Sequence, residues 1–326
     1  MFNRKADNIL VIKTDGLAGF IAAEPLFEKI RAANDGAVIS LLTTNELQRV
    51  ARASPYFDRV AAAPPATEPE ARKAFFRQLK NEKFAKVYDL ARDDAAKKLQ
   101  SVLGPFGPKW FGVPSTFKKR NAAGASYDDG PEFEKFIRAS GIEPPERLPD
   151  LSWALSARKD SANMQPSWFG VSGAFGLLMP TLDDTRRWPA ANYADFARLI
   201  AREGIMPVLV GGKELHNFGD EVAHSAPEIV DLSGKTDHLQ LAALAQQASF
   251  FVSDDAEEVH LALSSGCSGI LIKKSKEQDA SPEGRDLVTL TVDNDLGEVR
   301  AEFIWRTLDN MCLLPAVQSP QQAAAH

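Results

Sequence analysis

The sequence RRWPAANYADFARLIAREGIMPVLVGGKE, residues 186–214, contains the pattern that decides the fold. Two arginines precede an amphipathic segment whose apolar positions recur at helical spacing. Gly204 separates this helix from an apolar strand at 207–210, which leads through two glycines to Glu214. A helix, a turn and a buried strand in this order predict one repeating unit of a parallel α/β sheet.

The loops of this unit suit a charged ligand. Arg186 and Arg187 precede a helix, where the guanidinium fork and the free amides of the helix N-terminus both favour a phosphate. Glu214 follows two glycines, which let a ligand approach the backbone, and its carboxylate suits a ribose diol. An ordinary α/β surface with solvated arginines explains the same residues, so this stretch alone leaves both interpretations open.

Composition limits the class of protein. The chain has 326 residues, enough for two domains, and its net charge of −6 gives no basic field for nucleic acid. The two cysteines, Cys267 and Cys312, provide neither a disulfide framework nor metal-ligand spacing, which favours a reducing cytoplasm. No apolar run reaches the length of a signal peptide or a membrane span. We therefore expect a soluble, cytoplasmic protein.

Strands alternate with helices in both halves of the chain, which predicts two Rossmann-like, doubly wound parallel sheets facing a cleft. We expect strands at 8–12, 38–43, near Val60, and at 87–90, 176–179, 207–210, 229–232, 250–253 and 269–272. Outside these strands, we expect 104–149 to be less regular, 152–165 to be a linker, and 296–311 to form one long helix. The domains we expect are an amino-terminal domain at 1–160, a carboxyl-terminal domain at 161–300, a helix at 301–318 that packs back across them, and a disordered tail at 319–326.

A basic cluster lies in the irregular part of the first half. Lys118, Lys119 and Arg120 follow Phe117. A solvated surface is the more common meaning of such a run. Its alternative is a patch for an anionic acceptor or for an anionic membrane surface.

Three segments resemble glycosyltransferase family 9, the ADP-heptose:lipopolysaccharide heptosyltransferases. They are the run VDLSGKTDHLQLAALAQQASFFVSDDAEEVHLALSSG at 230–266, the opening stretch at 186–214, and the loop IKTDGLAGFIAAEPLFEKIR at 12–31. The resemblance implies a GT-B fold in which the first domain holds the acceptor and the second holds the nucleotide sugar. It also implies sugar transfer with inversion, without a bound metal or other cofactor.

The resemblance assigns roles to particular residues. It implies a donor site with Arg186 on the diphosphate, Glu214 on the ribose, Asp255 near the sugar and phosphates, His260 five positions later, and Gly234 with Lys235 supporting the nucleotide pocket. For His260, a buried or capping histidine is an equal alternative. For Lys235, a solvated turn lysine is the more common interpretation. The acceptor site would include the basic cluster at 118–120.

Two loops differ from the family pattern. The family has an aspartate, its presumed general base, where this chain has Gly19, and Asp15 in the same loop is the substitute we expect. The family's Asp-(Ser/Thr)-Gly loop is here Asp255-Ala256-Glu257, which places extra negative charge near the expected diphosphate. Lys273 and Lys274 follow the next strand and offer charges that oppose it.

Two hypotheses follow. The first is an active glycosyltransferase that moves a heptose or similar sugar from an ADP-heptose-like donor to a lipopolysaccharide core, another glycan or a lipid-linked acceptor. The second is a catalytically impaired family member that serves as a binding or assembly protein in envelope glycan synthesis. Both predict no nucleic acid partner and a cytoplasmic location, with peripheral contact at the inner membrane face as an extension.

Overall fold

A computed structural model describes residues 7–65, 67–91, 93–104, 106–112, 130–156, 162–275 and 287–315. The chain divides into two compact units, and the division falls after Ala157. The described residues before that point form the first unit, and those after it form the second. Each unit is built on a parallel sheet, and the two units are described separately below.

The first unit contains a five-stranded parallel sheet with the order β3-β2-β1-β4-β5. Its strands are β1 (Asn8–Ile12), β2 (Val38–Thr43), β3 (Arg59–Ala62), β4 (Lys86–Asp89) and β5 (Lys109–Gly112). Four of the five side chains of β1 are buried, since this central strand has neighbours on both edges and helices on both faces. The loop that follows β1 therefore starts at the middle of the sheet's carboxyl edge.

The helices of the first unit cover this sheet. They are α1 (Leu17–Ala22), α2 (Glu24–Ala32), α3 (Gln48–Ala53), α4 (Pro69–Asn81), α5 (Asp94–Leu103), α6 (Gly130–Ser140) and α7 (Ser152–Ser156). Phe76 and Leu79 of α4 pack with Leu99 of α5 in a cluster that includes Leu10 of the central strand. The exposed sides of α4 and α5 are consequently polar.

A buried carboxylate joins α2 to the end of the first unit. Glu24 is fully buried and accepts two hydrogen bonds from Arg147, at 2.7 and 2.8 Å. The hydroxyl of Tyr56 donates to the same carboxylate at 2.6 Å, and the indole of Trp153 donates at 3.3 Å. A buried charge is stable only when it is paired and hydrogen-bonded in this way.

The second unit contains a six-stranded parallel sheet with the order β11-β10-β9-β6-β7-β8. Its strands are β6 (Phe175–Met179), β7 (Met206–Leu209), β8 (Val230–Asp231), β9 (Phe250–Ser253), β10 (Gly269–Lys274) and β11 (Leu287–Val292). Its helices are α8 (Ala190–Arg202), α9 (His216–Ser225), α10 (His238–Gln247), α11 (Glu258–Ser264) and α12 (Ala301–Asn310). Short 3-10 turns occur at Ala162–Met164, Pro166–Phe169, Lys213–Leu215 and Leu296–Glu298.

Helix α8 lies at the centre of the larger core. Phe196 and Ile200 are fully buried in one apolar cluster with Ile304 and Leu308 of α12, which packs against α8. Leu199 of the same helix is only partly buried. Across the described residues, none of the helices combines the length and the apolar character that a membrane span requires.

The predicted α/β class with two parallel-sheet domains is confirmed, but several elements differ from the expectation. The long helix expected at 296–311 is wrong, because a 3-10 turn at Leu296–Glu298 precedes α12. The carbonyl of Val299 between them accepts hydrogen bonds from Trp188 Nε1 and Asn192 Nδ2, both at 3.0 Å. This tertiary contact fixes the chain in an extended conformation just before α12. The segment 104–149, expected to be irregular, contains β5 and α6, and 319–326 lies outside the described residues.

Removing the partner of the buried Glu24 should destabilise the first unit. We expect Arg147→Ala to lower the free energy of unfolding by about 3 kcal/mol, because a buried charge then lacks its counter-ion. The matched control is Lys29→Ala, which removes a 3.4 Å ion pair with the exposed Glu143 and should cost less than about 1 kcal/mol. Urea unfolding of both variants measures the difference, and equal losses would contradict this account of Glu24.

Candidate functional site

Polar loops of the second unit collect at one edge of its sheet. The loops after β6, β7, β8 and β9 all leave the carboxyl ends of parallel strands that are neighbours in the sheet. Ligands of such sheets bind outside these ends, where the loops and helix N-termini present their polar groups. The donor-site residues expected from the sequence lie in these loops or directly after them.

Arg186 and Asp255 come together at this edge. Nη1 of Arg186 donates to Oδ2 of Asp255 at 2.8 Å, and its Nε donates to Oδ2 of Asp183 at 2.9 Å. The Arg186 side chain is 31% exposed, so a ligand can reach it. Two carboxylates therefore share this guanidinium, and an incoming anion has to compete with both.

The loop around Arg186 is held by its own contacts. Hydrogen bonds from Thr185 and Arg186 lower the pKa of Asp183 to about 2, so this carboxylate is ionised at neutral pH. Lys274, at the end of β10, donates to the carbonyl of Thr185 at 2.7 Å. Asp255 has a φ of 78°, a left-handed conformation that is uncommon outside glycine and marks a constrained turn after β9.

Asp254 is the buried anchor of this edge. Its Oδ1 accepts from the amide of Thr181 at 2.5 Å. Its Oδ2 accepts from the amide of Trp188 at 2.6 Å and from the hydroxyl of Tyr193 at 3.0 Å. One carboxylate thus fastens both ends of the loop that carries Arg186. Burial raises its pKa to about 7, while the three donors act in the opposite direction.

The two arginines of the opening stretch have different roles. The guanidinium of Arg187 stacks on the ring of Phe218 at 4.6 Å and donates to the carbonyl of Thr181 at 3.3 Å. Trp188 is fully buried. Arg186 is therefore the arginine that contacts Asp255. Arg187 instead stabilises the loop through its contacts with Phe218 and Thr181.

Glu214 and the Gly234 turn meet at the ends of β7 and β8. Gly234 has a φ of 68°, and a side chain there would lie 2.8 Å from Cα of Lys213. Its amide donates to the carbonyl of Gly211 at 2.8 Å. Glycine thus permits the turn to pack directly on the loop before Glu214, whose side chain is exposed.

Lys235 follows β8, and His260 lies in α11 after β9. The amine of Lys235 donates to the carbonyl of Asp231 at 2.7 Å, which ties it to the end of β8. Burial lowers the pKa of His260 to about 4, so its imidazole is neutral and supplies no charge to a phosphate. Glu257, at the residue before α11, is exposed to solvent.

The first unit places Asp15 at its own carboxyl edge, directly after β1. Oδ2 of Asp15 accepts from Nζ of Lys13 at 3.0 Å, and this lysine is fully buried. Within the described part of the chain, Oδ1 of Asp15 is buried without a hydrogen-bond partner. A methyl group at Gly19 would lie 2.8 Å from Oδ2 of Asp15 and 3.0 Å from Oδ1. The carboxylate of Asp15 therefore fills the space that a side chain at position 19 would need.

Other candidate groups are less informative. The predicted acceptor residues Lys118, Lys119 and Arg120 lie outside the described residues. Among the described residues, one group of histidine and carboxylate side chains is close enough to share an ion, with ligand atoms within 4.8 Å: His216, Asp220 and Asp231. Two of these three side chains are exposed, and Lys235 lies 4.0 Å from Asp231, so a cation is already nearby.

Asp254 should make the stability of the second unit depend on pH. Its pKa is about 7 in the folded chain and near 3.8 in the unfolded chain, so the folded state binds this proton more tightly. The contribution of Asp254 to stability is therefore fully present below about pH 4 and is lost as pH rises through about 7. Relative to Asp254→Asn, we expect wild-type stability to fall by on the order of 2–3 kcal/mol between pH 5 and pH 8.

Urea unfolding of both proteins at the two pH values measures this change. His260 has the opposite slope, because its depressed pKa favours the folded state above about pH 6.5. Since both proteins contain His260, their difference isolates Asp254. A difference that does not vary with pH would show that the Asp254 carboxylate has no raised pKa.

Comparisons with known proteins agree with these features. The model of glycosyltransferase family 9 (heptosyltransferase) matches residues 133–269. The ADP-heptose lps heptosyltransferase II of E. coli superimposes with a TM-score of 0.74 at 16% identity, covering 94% of this chain and 98% of that one. The E. coli heptosyltransferase WaaC with ADP gives 0.72 at 16% identity, covering 93% and 99%.

A more distant structure shows how widely the fold is used. The UDP-GlcNAc 2-epimerase of Methanocaldococcus jannaschii gives a TM-score of 0.58 at 12% identity, covering 95% of this chain and 94% of that one. A comparison with curated protein sequences found no match. At these identities the structural likeness establishes the fold alone, and the family match adds a similarity in sequence over residues 133–269. Together they confirm the resemblance to glycosyltransferase family 9 and support a glycosyltransferase with the two-domain fold of the heptosyltransferases.

Proposed function

We propose that this chain is an inverting, metal-independent glycosyltransferase. It moves a heptose or similar sugar from a nucleotide-diphosphate donor to a lipopolysaccharide core or another glycan. The observation that carries the proposal is Arg186, a partly exposed guanidinium in a fastened loop at the carboxyl edge of the second sheet. Solved structures with this fold include one with ADP and one with ADP-2-deoxy-2-fluoro heptose, which supports an ADP-heptose-like donor.

On donor binding, phosphate groups would replace the carboxylates that now contact Arg186. The diphosphate displaces the carboxylates of Asp183 and Asp255 from Arg186 and takes over their hydrogen bonds. Lys274 lies beside the same loop and adds positive charge. Glu214, exposed next to the close-packed Gly234 turn, is the carboxylate for the ribose hydroxyls. Fixed charges of this kind also stabilise the diphosphate as it leaves.

Asp15 is the general base of the proposal. An acceptor hydroxyl attacks the anomeric carbon of the donor, its proton passes to Asp15, and the bond to the nucleotide diphosphate breaks. The contact between Asp15 and Gly19 supports this role, because the carboxylate lies within 3.0 Å of the position that the first side-chain carbon of an aspartate at 19 would take. Lys13 holds one carboxylate oxygen, and the other has no partner among the described residues.

Two features favour a second function, that of a binding protein. Arg186 already has two carboxylate partners, and Gly19 offers no acid or base. A chain that binds an envelope glycan or its precursor without transferring sugar would tolerate both features. The two functions differ in nucleotide binding and in turnover, so separate measurements of each distinguish them.

Nucleotide binding tests the donor site. We expect calorimetric titration to show selective binding of ADP over UDP and GDP, with the affinity falling about 10- to 100-fold in Arg186→Ala, because a charge-assisted contact is lost. The matched control is Arg202→Ala, an exposed arginine at the end of α8, which should bind ADP as the wild type does. Failure of the wild type to bind any of these nucleotides would remove the donor site.

Turnover tests the base. We expect Asp15→Asn to lower kcat by about 10²- to 10⁴-fold while ADP binding stays unchanged, since general-base catalysis contributes rate enhancement of this size. The measurement is release of ADP from ADP-heptose in the presence of a lipopolysaccharide acceptor. Asp94→Asn, which alters an exposed ion pair on α5, is the control and should keep full activity.

The outcomes separate the two functions. Full activity of Asp15→Asn would show that another group takes the proton. ADP binding by the wild type without turnover on any glycan acceptor would favour the binding protein.

A further inference from the structure

A groove of about 690 Å³ separates α4 from α5 on the outer surface of the first unit. Five basic residues line it, four of them exposed: Arg72, Lys73, Arg77, Lys80 and Lys98. No carboxylate is among the described residues that line it. The whole chain has a net charge of −6, so this concentration of positive charge runs against its overall sign.

The groove also has an apolar floor. Phe76 of α4, which is buried, and Val102 of α5 lie beneath the basic side chains. The guanidinium of Arg72 lies 5.6 Å from the ring of Phe76, and its Nη1 donates to the carbonyl of Pro64 at 3.2 Å, so this arginine is fixed in the groove wall. Long basic side chains above apolar surface suit an amphiphile with an anionic head.

A fully exposed aromatic residue lies close by in the chain. Phe106 follows α5 by three residues, and its side chain makes no burying contact with the described residues. Three residues later, Lys109 is also exposed. Aromatic side chains next to basic ones are typical of surfaces that rest in the headgroup region of a bilayer.

We propose that this face of the first unit docks on an anionic lipid bilayer. The basic residues of the groove contact phosphate headgroups, and Phe106 inserts at the interface. The inference rests on the proposed function, in which the acceptor glycan is attached to a lipid. A soluble polyanion would match the charges, but it would not use the apolar floor. An anionic bilayer matches both the charges and the apolar floor of the groove.

Vesicle sedimentation tests the proposal with the full chain. We expect binding to vesicles of phosphatidylglycerol and phosphatidylcholine, little binding to pure phosphatidylcholine, and release in 0.5 M salt, about the concentration at which screening removes surface attraction. Reversing three charges with Arg77→Glu, Lys80→Glu and Lys98→Glu should weaken binding at least roughly 100-fold, since each basic residue near an anionic surface contributes about fivefold or more. Phe106→Ala should weaken it several-fold.

The matched control reverses three exposed basic residues elsewhere, with Lys135→Glu, Arg138→Glu and Arg202→Glu. This variant has the same net charge as the groove variant and should retain most binding. Circular dichroism checks that both are folded. The proposal is overturned if the two variants lose binding equally, if the groove variant binds as the wild type does, or if the groove binds heparin or RNA but not vesicles.

ADP titration of the same proteins keeps this proposal separate from the proposed function. The groove variant should bind ADP as the wild type does, because the donor site lies in the second unit. Vesicle binding in a chain that binds no nucleotide would leave the docking face standing and remove the glycosyltransferase.

Discussion

The buried carboxylate of Asp254 is the interaction on which the second unit's binding edge depends. It receives hydrogen bonds from both ends of the loop that carries Arg186 and from Tyr193 of α8. A loop of this length has many conformations, and two backbone amides fixed to one buried group remove most of them. The next residue, Asp255, is held in a left-handed turn and directed at Arg186. The anchor and the carboxylate that pairs with Arg186 are thus consecutive residues.

Much of this architecture follows from local sequence patterns. Strands such as β2 at Val38–Thr43 and β9 at Phe250–Ser253 have the predicted bounds, because continuous apolar runs between polar loops have few other solutions in an α/β protein. The pairing of Arg186 with Asp255 is harder to predict from sequence, since it joins residues far apart in the chain. Asp254 is not among the residues expected at the site. The signal that points to it is a pair of acids directly after a buried strand, because a buried carboxylate there needs hydrogen-bond donors.

The long helix expected near the end of the chain shows why some features resist local reasoning. Its apolar periodicity is real, and α12 uses most of it. The helix cannot extend back to Leu296, because the carbonyl of Val299 accepts from Trp188 and Asn192 instead of from its own helix. Contacts of this kind depend on where α8 lies, and no pattern within 296–311 contains that information.

The contact between Asp15 and Gly19 couples two positions of one loop. An aspartate placed at position 19 would bring its Cβ to 2.8 Å from an oxygen of Asp15, and a second negative charge would follow. To make room, the Asp15 side chain would have to move and give up its 3.0 Å hydrogen bond from the buried Lys13. The residue at position 15 thus sets how large and how negative a side chain at position 19 can be.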